Sequence, residues 1–135
     1  MIHYLLDTDI CIYLNNNNPE RVVQRMQQIQ MDEMAISSIT VFELIHGALK
    51  SQKVTQNLNQ IKELSQMITV LNLDSKAAEA AANIRRELES RGTPIGSFDV
   101  LIAGQALSLD AILVTNNTRE FSRIQNLKLE NWAED

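Results

Sequence analysis

Short apolar segments alternate with longer amphipathic segments along most of the chain, and this alternation limits the fold more than any other feature of the sequence. Apolar residues recur at helical spacing in most of the longer segments. Parallel strands need a long crossover between them, usually a helix, whereas antiparallel strands can be joined by a tight turn. The pattern therefore predicts an α/β domain with a mostly parallel central sheet. Four to five strands are expected, at 3–7, 34–38, 67–73, 111–116 and, least clearly, 127–132.

The predicted helices begin and end at residues that are typical of helix ends. A run of four asparagines ends the first helix, and Pro19 opens the second. Asp74 caps a long alanine-rich helix, which Gly92 and Pro94 end. Helices are expected at 8–15, 19–30, 40–51, 54–65, 75–91 and 98–109.

The composition is that of one globular domain spanning residues 1–135. The hydrophobic fraction, 44%, is ordinary for a protein with a real core. No segment approaches the roughly 18 consecutive apolar residues of a membrane-spanning helix, and the first residues lack the pattern of a signal peptide. The single cysteine, Cys11, has no companion at metal-ligand spacing, so we expect it to pack as a small apolar residue. These observations predict a cytoplasmic protein without a membrane segment.

A net charge of −5 argues against a protein that binds nucleic acid through a broad basic surface. It does not exclude a nuclease whose centre is built from carboxylates that recruit divalent cations, because basic residues are then needed only at the rim. The arginines of "RRELESR" (85–91) and "TREFSR" (118–123) could form such a rim. For the first group the alternative is pairing along one helix face, such as Arg85 with Glu89.

Three acidic residues fall where ligands usually bind to a parallel sheet. Asp7 ends the first predicted strand, Glu43 lies in the helix after the second, and Asp99 lies in the helix before the fourth. Ligands of open parallel sheets bind beyond the carboxyl ends of the strands, so these carboxylates could converge. Crowded carboxylates raise one another's pKa unless a cation lies between them. Oxygen ligands alone favour Mg²⁺ or Mn²⁺.

Two of the acidic segments also have a purely structural interpretation. Asp99 could be a first-turn acid that interacts with the helix dipole, with Ser97 as the N-cap. Asp7 and Asp9 could cap the first helix, and for Asp9 we give this interpretation equal weight.

The segment around Glu43 has its own alternatives. Glu43 could complete a capping box with Thr40. With His46 it also forms a Glu-x-x-His pair of the kind found in di-iron helix bundles, but those need a second copy and two further glutamates. His46 is therefore expected to pack or to face a partner.

Four segments, in the right order, resemble PIN-domain ribonucleases of the VapC toxin type: "LLDTDICIYL", "SSITVFELIHGA", "PIGSFDVLIAGQALSLDAILVTNNTREF" and "LKLENW". The resemblance covers nearly the whole chain. It implies a Rossmann-like α/β/α sandwich, a carboxylate cluster that binds Mg²⁺, cleavage of RNA, and inhibition by a cognate VapB-type antitoxin. The family's acids fall on Asp7, Glu43 and Asp99.

The segment after the fourth predicted strand departs from the common family pattern. Many members carry Thr-Asn-Asp there, whereas this chain has Thr115, Asn116 and Asn117. Asn117 can donate or accept hydrogen bonds and so orient substrate or ligands, but it adds no charge. Glu120 is therefore the candidate to reach into the site, and the number of metal ions, one or two, stays open. Thr115 and Asn116 would contact phosphate or orient ligands, or they could be only the polar end of a strand.

The resemblance also implies a mechanism and a substrate. Mg²⁺ held by Asp7 and Asp99, with Glu43 positioning water or a second ion, would promote hydrolysis of a phosphodiester, and Mn²⁺ could substitute. Structured RNA with an accessible loop is the expected substrate class. Within that class the resemblance favours tRNA, and initiator tRNA first. DNA would be contacted only indirectly, through the antitoxin.

Two protein partners are expected by resemblance. Related toxins form homodimers, and the stretch "AAEAAANI" (77–84) permits close helix packing, although a contact within the chain would explain it equally well. An antitoxin segment is expected in a groove beside the N-terminal helices, where Ile12 and Tyr13 offer apolar surface.

Two other classes compete with this interpretation. "LLDTD" also resembles the Asp-x-Asp of haloacid-dehalogenase phosphatases, but those need a later lysine and usually a further acidic pair. The second alternative is a catalytically weak PIN-like module that only binds proteins. A pure scaffold, however, has no use for three mutually repelling acids.

Overall fold

The centre of the protein is a parallel sheet, seen in a computed structural model that describes residues 1–134. Its strands are β1 (Tyr4–Leu6), β2 (Met34–Ser37), β3 (Thr69–Leu71), β4 (Ile112–Val114) and β5 (Lys128–Glu130). The strand order is β3-β2-β1-β4-β5, and every neighbouring pair is parallel. The predicted α/β class is confirmed, and the least clear strand forms one edge of the sheet.

Helices connect consecutive strands, as parallel pairing requires. Those between residues 1 and 134 are α1 (Thr8–Asn16), α2 (Glu20–Gln27), α3 (Ser38–Leu49), α4 (Val54–Met67), α5 (Ser75–Ser90), α6 (Ser97–Ser108) and α7 (Thr118–Phe121). Asn17 ends α1 in the left-handed region, with a φ of 52°, and Asp74 caps α5. Helix α2 ends at Gln27, short of its predicted end, because a 3₁₀ turn at Met31–Glu33 leads into β2.

Two predicted helix starts are wrong. Helix α3 is capped by Ser37, whose hydroxyl accepts from the backbone N–H of Ile39 at 3.0 Å. Thr40 therefore lies inside the helix, and the predicted capping box with Glu43 does not form. Helix α6 is preceded by Gly96 as N-cap, so Ser97 is its first helical residue.

Both faces of the sheet are covered, and alternate strand residues supply the two halves of the core. Leu6, Ile36 and Val114 point into one apolar cluster. Their neighbours Leu5 and Leu113 point into the other. This period of two on a sheet that is buried on both faces explains why the strands consist of continuous apolar runs. Cys11 is fully buried in the first cluster, as expected, and is unpaired.

The alanine-rich part of α5 packs within the chain. A Cβ added at Gly104 of α6 would lie 2.6 Å from the backbone N of Ala81. The two helices can approach this closely only because both positions are small. The intramolecular explanation of "AAEAAANI" therefore holds, and this stretch gives no support to a dimer. Among residues 1–134, no helix is long and apolar enough to cross a membrane.

Candidate active site

The acids predicted from the sequence come together at the carboxyl ends of the three central strands. Asp7 directly follows β1, Glu43 lies in the helix after β2, and Glu120 lies in the short helix after β4. Asp99 reaches the same place from the first turn of α6. Because β2, β1 and β4 are adjacent, residues far apart in sequence become neighbours at this edge.

Asp7 is the most buried member of the cluster, with 5% of its surface exposed. Its Oδ1 accepts from the backbone N–H of Thr8 at 2.8 Å, so it is also the N-cap of α1. Its Oδ2 accepts from the hydroxyl of Thr115 at 2.8 Å. Burial, followed by the charge of Asp9, raises the pKa of Asp7 to about 7. Asp7 therefore both caps α1 and belongs to the acidic cluster.

Thr8 links the first and second acids and was not predicted as a site residue. Its hydroxyl donates to Oε1 of Glu43 at 2.6 Å. The hydroxyl of the fully buried Thr40 lies 3.2 Å from the same oxygen of Thr8. Since a hydroxyl has one proton, Thr8 donates to Glu43 and can accept from Thr40. The chain of contacts holds the carboxylate of Glu43 at the carboxyl end of β1.

Asp99 and Glu120 form a second part of the cluster. Burial, followed by the charges of Glu120 and Glu43, raises the pKa of Asp99 to about 6, and a hydrogen bond with Glu120 adds to the shift. A helix dipole alone would lower this pKa. Gly96 leaves room for the carboxylate, because a Cβ there would lie 3.1 Å from Oδ2 of Asp99.

The segment after β4 orients two of these acids. Thr115 is fully buried and donates its hydroxyl to Asp7. Asn117 donates its side-chain amide to Oε2 of Glu120 at 3.0 Å. Asn117 thus lies beside the carboxylate that was expected to reach into the site. Asn116 contacts none of the four predicted acids and instead donates its backbone N–H to Oδ2 of Asp9 at 3.0 Å.

Asp9, for which the sequence is ambiguous, is a fifth carboxylate of the cluster. Its charge raises the pKa of both Asp7 and Asp99, and burial raises its own pKa. The signal was present in the sequence as Asp-x-Asp directly after a strand. It is ambiguous because the same position is the first turn of α1, where an acid is ordinary.

The donor set fits a hard divalent cation better than a thiolate- or imidazole-binding metal. Cys11 is buried in the core, and the exposed ring of His46 stacks on Phe42 with centroids 6.2 Å apart. One oxygen of Asp9, Oδ1, is buried and lacks a hydrogen-bond donor among residues 1–134. Within the same residues, no three acidic, histidine or cysteine side chains are arranged to hold one ion together. Mg²⁺ commonly binds through one or two carboxylates and keeps several waters, so this open arrangement fits it.

Three arginines of the expected basic rim make contacts within the protein. Arg85 pairs with Glu89 at 3.4 Å along α5, as the alternative interpretation expected. Arg91 donates to the backbone carbonyl of Arg123 at 2.7 Å, and Arg123 donates to that of Pro94 at 3.1 Å. These two arginines therefore fasten the loop before α6 to the segment after α7.

Comparison with known proteins agrees with this geometry. The PIN domain family model matches residues 4–127. The tRNA(fMet)-specific endonuclease VapC of Shigella flexneri is 45% identical over 133 residues, which cover 98% of this chain and 100% of that protein. Ribonuclease VapC2 of Rickettsia felis is 39% identical over 130 residues, covering 96% and 97%.

Solved structures give the same result. The DNA-bound VapBC complex of Salmonella typhimurium contains a chain that superposes with a TM-score of 0.92 at 42% identity, covering 98% of this chain and 99% of that one. VapBC2 of Rickettsia felis, bound to a promoter DNA fragment, gives a TM-score of 0.90 at 39% identity, with coverage of 98% and 99%. The phosphatase alternative is set aside by these matches. The chain belongs to the PIN-domain family and, within it, to the VapC ribonucleases.

Proposed function

We propose that this protein is the toxin of a VapBC-type toxin-antitoxin pair and that it is a Mg²⁺-dependent endoribonuclease which cleaves tRNA, initiator tRNA first. The observation that carries the proposal is the convergence of five carboxylates, from Asp7, Asp9, Glu43, Asp99 and Glu120, at the carboxyl end of a parallel sheet. Burial and repulsion from neighbouring carboxylates disfavour the charged forms of Asp7 and Asp99, and a cation would relieve both effects. The name of the Shigella relative supports the choice of tRNA.

Asp7 and Asp99 are the proposed ligands of Mg²⁺, and Mn²⁺ would substitute because both ions prefer oxygen ligands. When bound, such an ion lowers the pKa of water and neutralises charge that develops on the scissile phosphate. Thr115 holds Oδ2 of Asp7 in place, and Thr8 holds Oε1 of Glu43. The second oxygen of Glu43 would orient an attacking water or accept its proton.

A cleavage experiment tests the activity and the substrate together. Total tRNA is incubated with the purified protein in Mg²⁺ or EDTA, and the new 5′ ends are sequenced. We expect one dominant site in initiator tRNA, present only with Mg²⁺ and absent with Asp7→Ala. Asp32→Ala removes an exposed carboxylate from the 3₁₀ turn before β2, at the opposite end of that strand from the cluster, and should cut normally. Scattered cuts would contradict the substrate, and cutting in EDTA would contradict the metal dependence.

We also propose that an antitoxin segment occupies the groove between α1, α3 and α4. This groove, of about 240 Å³, has an apolar floor that includes Ile12, Leu44 and Ile61, and Glu43 lines the end nearest the acids. Side-chain amides line its walls and could pair with the backbone of an extended peptide. Tyr13, expected beside Ile12, does not line the groove, because its hydroxyl lies on the side of Asn116.

Growth assays with the neighbouring small gene test this partner. Co-expression should rescue cells that express the toxin. Ile12→Asp, in the groove, should stay toxic and escape rescue, whereas Met31→Asp, at another exposed apolar position, should be rescued normally. Rescue of both variants would contradict the groove. If the native toxin were harmless alone, the toxin assignment itself would be wrong.

A homodimer is proposed through the exposed face of α3 rather than through α5. Phe42 and Leu49, which expose 51% and 59% of their surfaces, form an apolar stripe with Ile45, and Phe98 of α6 extends it. The rings of Phe42 and Phe98 are 5.2 Å apart. An apolar patch of this kind on a monomer usually marks an interface. Light scattering should give a dimer for the native protein and a monomer for Leu49→Asp; a native monomer would reject the proposal.

The remaining expectations depend on this function. We propose that the whole chain, 1–135, forms a single PIN domain and acts in the cytoplasm, where tRNA is available. Contact with DNA would be made only by the antitoxin bound to it. The Salmonella and Rickettsia complexes, which contain DNA, support this arrangement.

A further inference from the structure

Asn116 lies between two residues that orient the acids, yet it contacts only Asp9 of the cluster, and only through its backbone. Thr115, on one side, donates to Asp7, and Asn117, on the other, donates to Glu120. The backbone at residue 116 joins these two residues, and the backbone N–H of Asn117 also donates to the hydroxyl oxygen of Thr115 at 3.0 Å. How that backbone is held therefore affects the direction of both side chains. The backbone N–H of Asn116 donates one hydrogen bond, to Asp9. The contacts of the Asn116 side chain also hold this backbone in place.

Both ends of the Asn116 side chain are occupied by protein groups. Its amide nitrogen donates to the hydroxyl of Tyr13 at 3.3 Å. Its amide oxygen accepts from the side-chain nitrogen of Asn131 at 3.0 Å. Although the residue is exposed, its side chain is already bound between α1 and the segment after β5. Asn116 is therefore poorly suited to contact RNA, in contrast to one of the roles that the sequence suggested.

The segment that carries Asn131 is itself firmly anchored. The oxygen of Asn131 accepts from the backbone N–H of Ala133 at 2.9 Å. The adjacent Trp132 is buried, its ring lies 5.6 Å from that of Tyr4, and its indole N–H donates to Glu130 at 3.0 Å. The carbonyl of Glu130 in turn accepts from the backbone N–H of Thr115 at 3.0 Å. The last strand and the residue after it thus hold the 115–117 segment through two hydrogen bonds, from Thr115 to Glu130 and from Asn131 to Asn116.

We propose that Tyr13, Asn116 and Asn131 form a positioning network that sets the orientation of Thr115 and Asn117 and, through them, of Asp7 and Glu120. None of the three would touch the metal or the RNA. Residues that orient metal ligands through hydrogen bonds commonly change metal affinity by about 10-fold to 100-fold when removed. The inference rests on the proposed metal-dependent nuclease.

Two conservative variants test the network. Tyr13→Phe removes only the hydroxyl that accepts from Asn116. Asn131→Ala removes the nitrogen that donates to Asn116 and, with it, the oxygen that accepts from Ala133. Each should weaken Mg²⁺ binding, measured by calorimetry, by about 10-fold, and should lower kcat at fixed Mg²⁺ with little change in the KM for tRNA. The double variant should lose less than the product of the two single losses, because both act through Asn116.

Matched controls separate this role from general stability. Tyr4→Phe removes another tyrosine hydroxyl and keeps the ring against Trp132, and Asn83→Ala removes an exposed amide from α5. Both should bind Mg²⁺ like the native protein. If Tyr13→Phe and Asn131→Ala also bind Mg²⁺ normally, or if they raise only the KM for RNA, the network does not position the site. A native protein that binds no Mg²⁺ would instead defeat the proposed function.

Discussion

The carboxylate of Asp99 has two interpretations that make opposite predictions. As a first-turn acid it would stabilise α6, and its loss would cost up to roughly 1 kcal/mol. In the structure it is crowded by Glu120 and Glu43, and its pKa is raised to about 6 rather than lowered. The cluster therefore outweighs the dipole, because two nearby negative charges and burial act against the ionised form.

We expect Asp99→Asn to leave the metal-free protein as stable as the native protein or more so, since it removes one of several repelling charges. The stabilisation that Mg²⁺ gives to the folded state should shrink, and RNA cleavage should fall by orders of magnitude. Thermal melts with and without Mg²⁺, together with a cleavage assay, measure all three. As a reference, Asp74→Ala removes a true N-cap and should cost about 1 kcal/mol without affecting cleavage. An Asp99→Asn protein that melts lower without metal and still cuts RNA would restore the dipole interpretation.

At the scale of elements, the sequence predicted strands and helices well because burial on both faces gives each strand a continuous apolar run. It could not predict which residue begins α3. "SSITVFE" (37–43) contains both Ser37, at the end of the strand, and Thr40, three residues before Glu43. The pairing of β1 with β2 brings Thr8 close to Glu43. The carboxylate of Glu43 therefore accepts from the hydroxyl of Thr8 and does not cap the helix. The sequence does not identify Thr8 and Asp9 clearly as site residues for the same reason: their partners, Glu43 and Asn116, are distant in sequence.

Two helical glycines provide a matched test of the α5–α6 contact. We expect Gly104→Ala to destabilise the fold by about 1–3 kcal/mol, because its Cβ would meet backbone atoms of Ala81 that cannot move independently. Gly47→Ala in α3 has no atom within 4 Å of the new Cβ and should stabilise the fold by about 0.5–1 kcal/mol. Chemical denaturation measures both changes. Equal effects of the two substitutions would mean that the helices can separate at little cost.

For the whole molecule, the carboxylate cluster makes stability depend on pH in a direction opposite to that of salt-bridged acids. The folded state holds protons on Asp7 up to about pH 7 and on Asp99 up to about pH 6, whereas the unfolded chain releases them near 3.8. Between these limits the folded state binds more protons than the unfolded state. The free energy of unfolding must therefore fall as the pH rises through this window and level off above it.

The metal-free protein should consequently melt at a higher temperature at pH 5 than at pH 8, and Asp7→Asn should reduce that difference because it removes the most strongly shifted group. Mg²⁺ should reverse the trend: it needs deprotonated ligands, so its stabilising effect should grow from pH 5 to pH 8. Calorimetric melts of both proteins across this range, with EDTA or Mg²⁺, provide the measurement. The comparison between variants matters more than either curve alone, because groups outside the cluster also titrate and contribute equally to both proteins. If Asp7→Asn and the native protein lost stability in parallel as the pH rose, the folded-state proton would not reside on Asp7, and the electrostatic account of the cluster would be wrong.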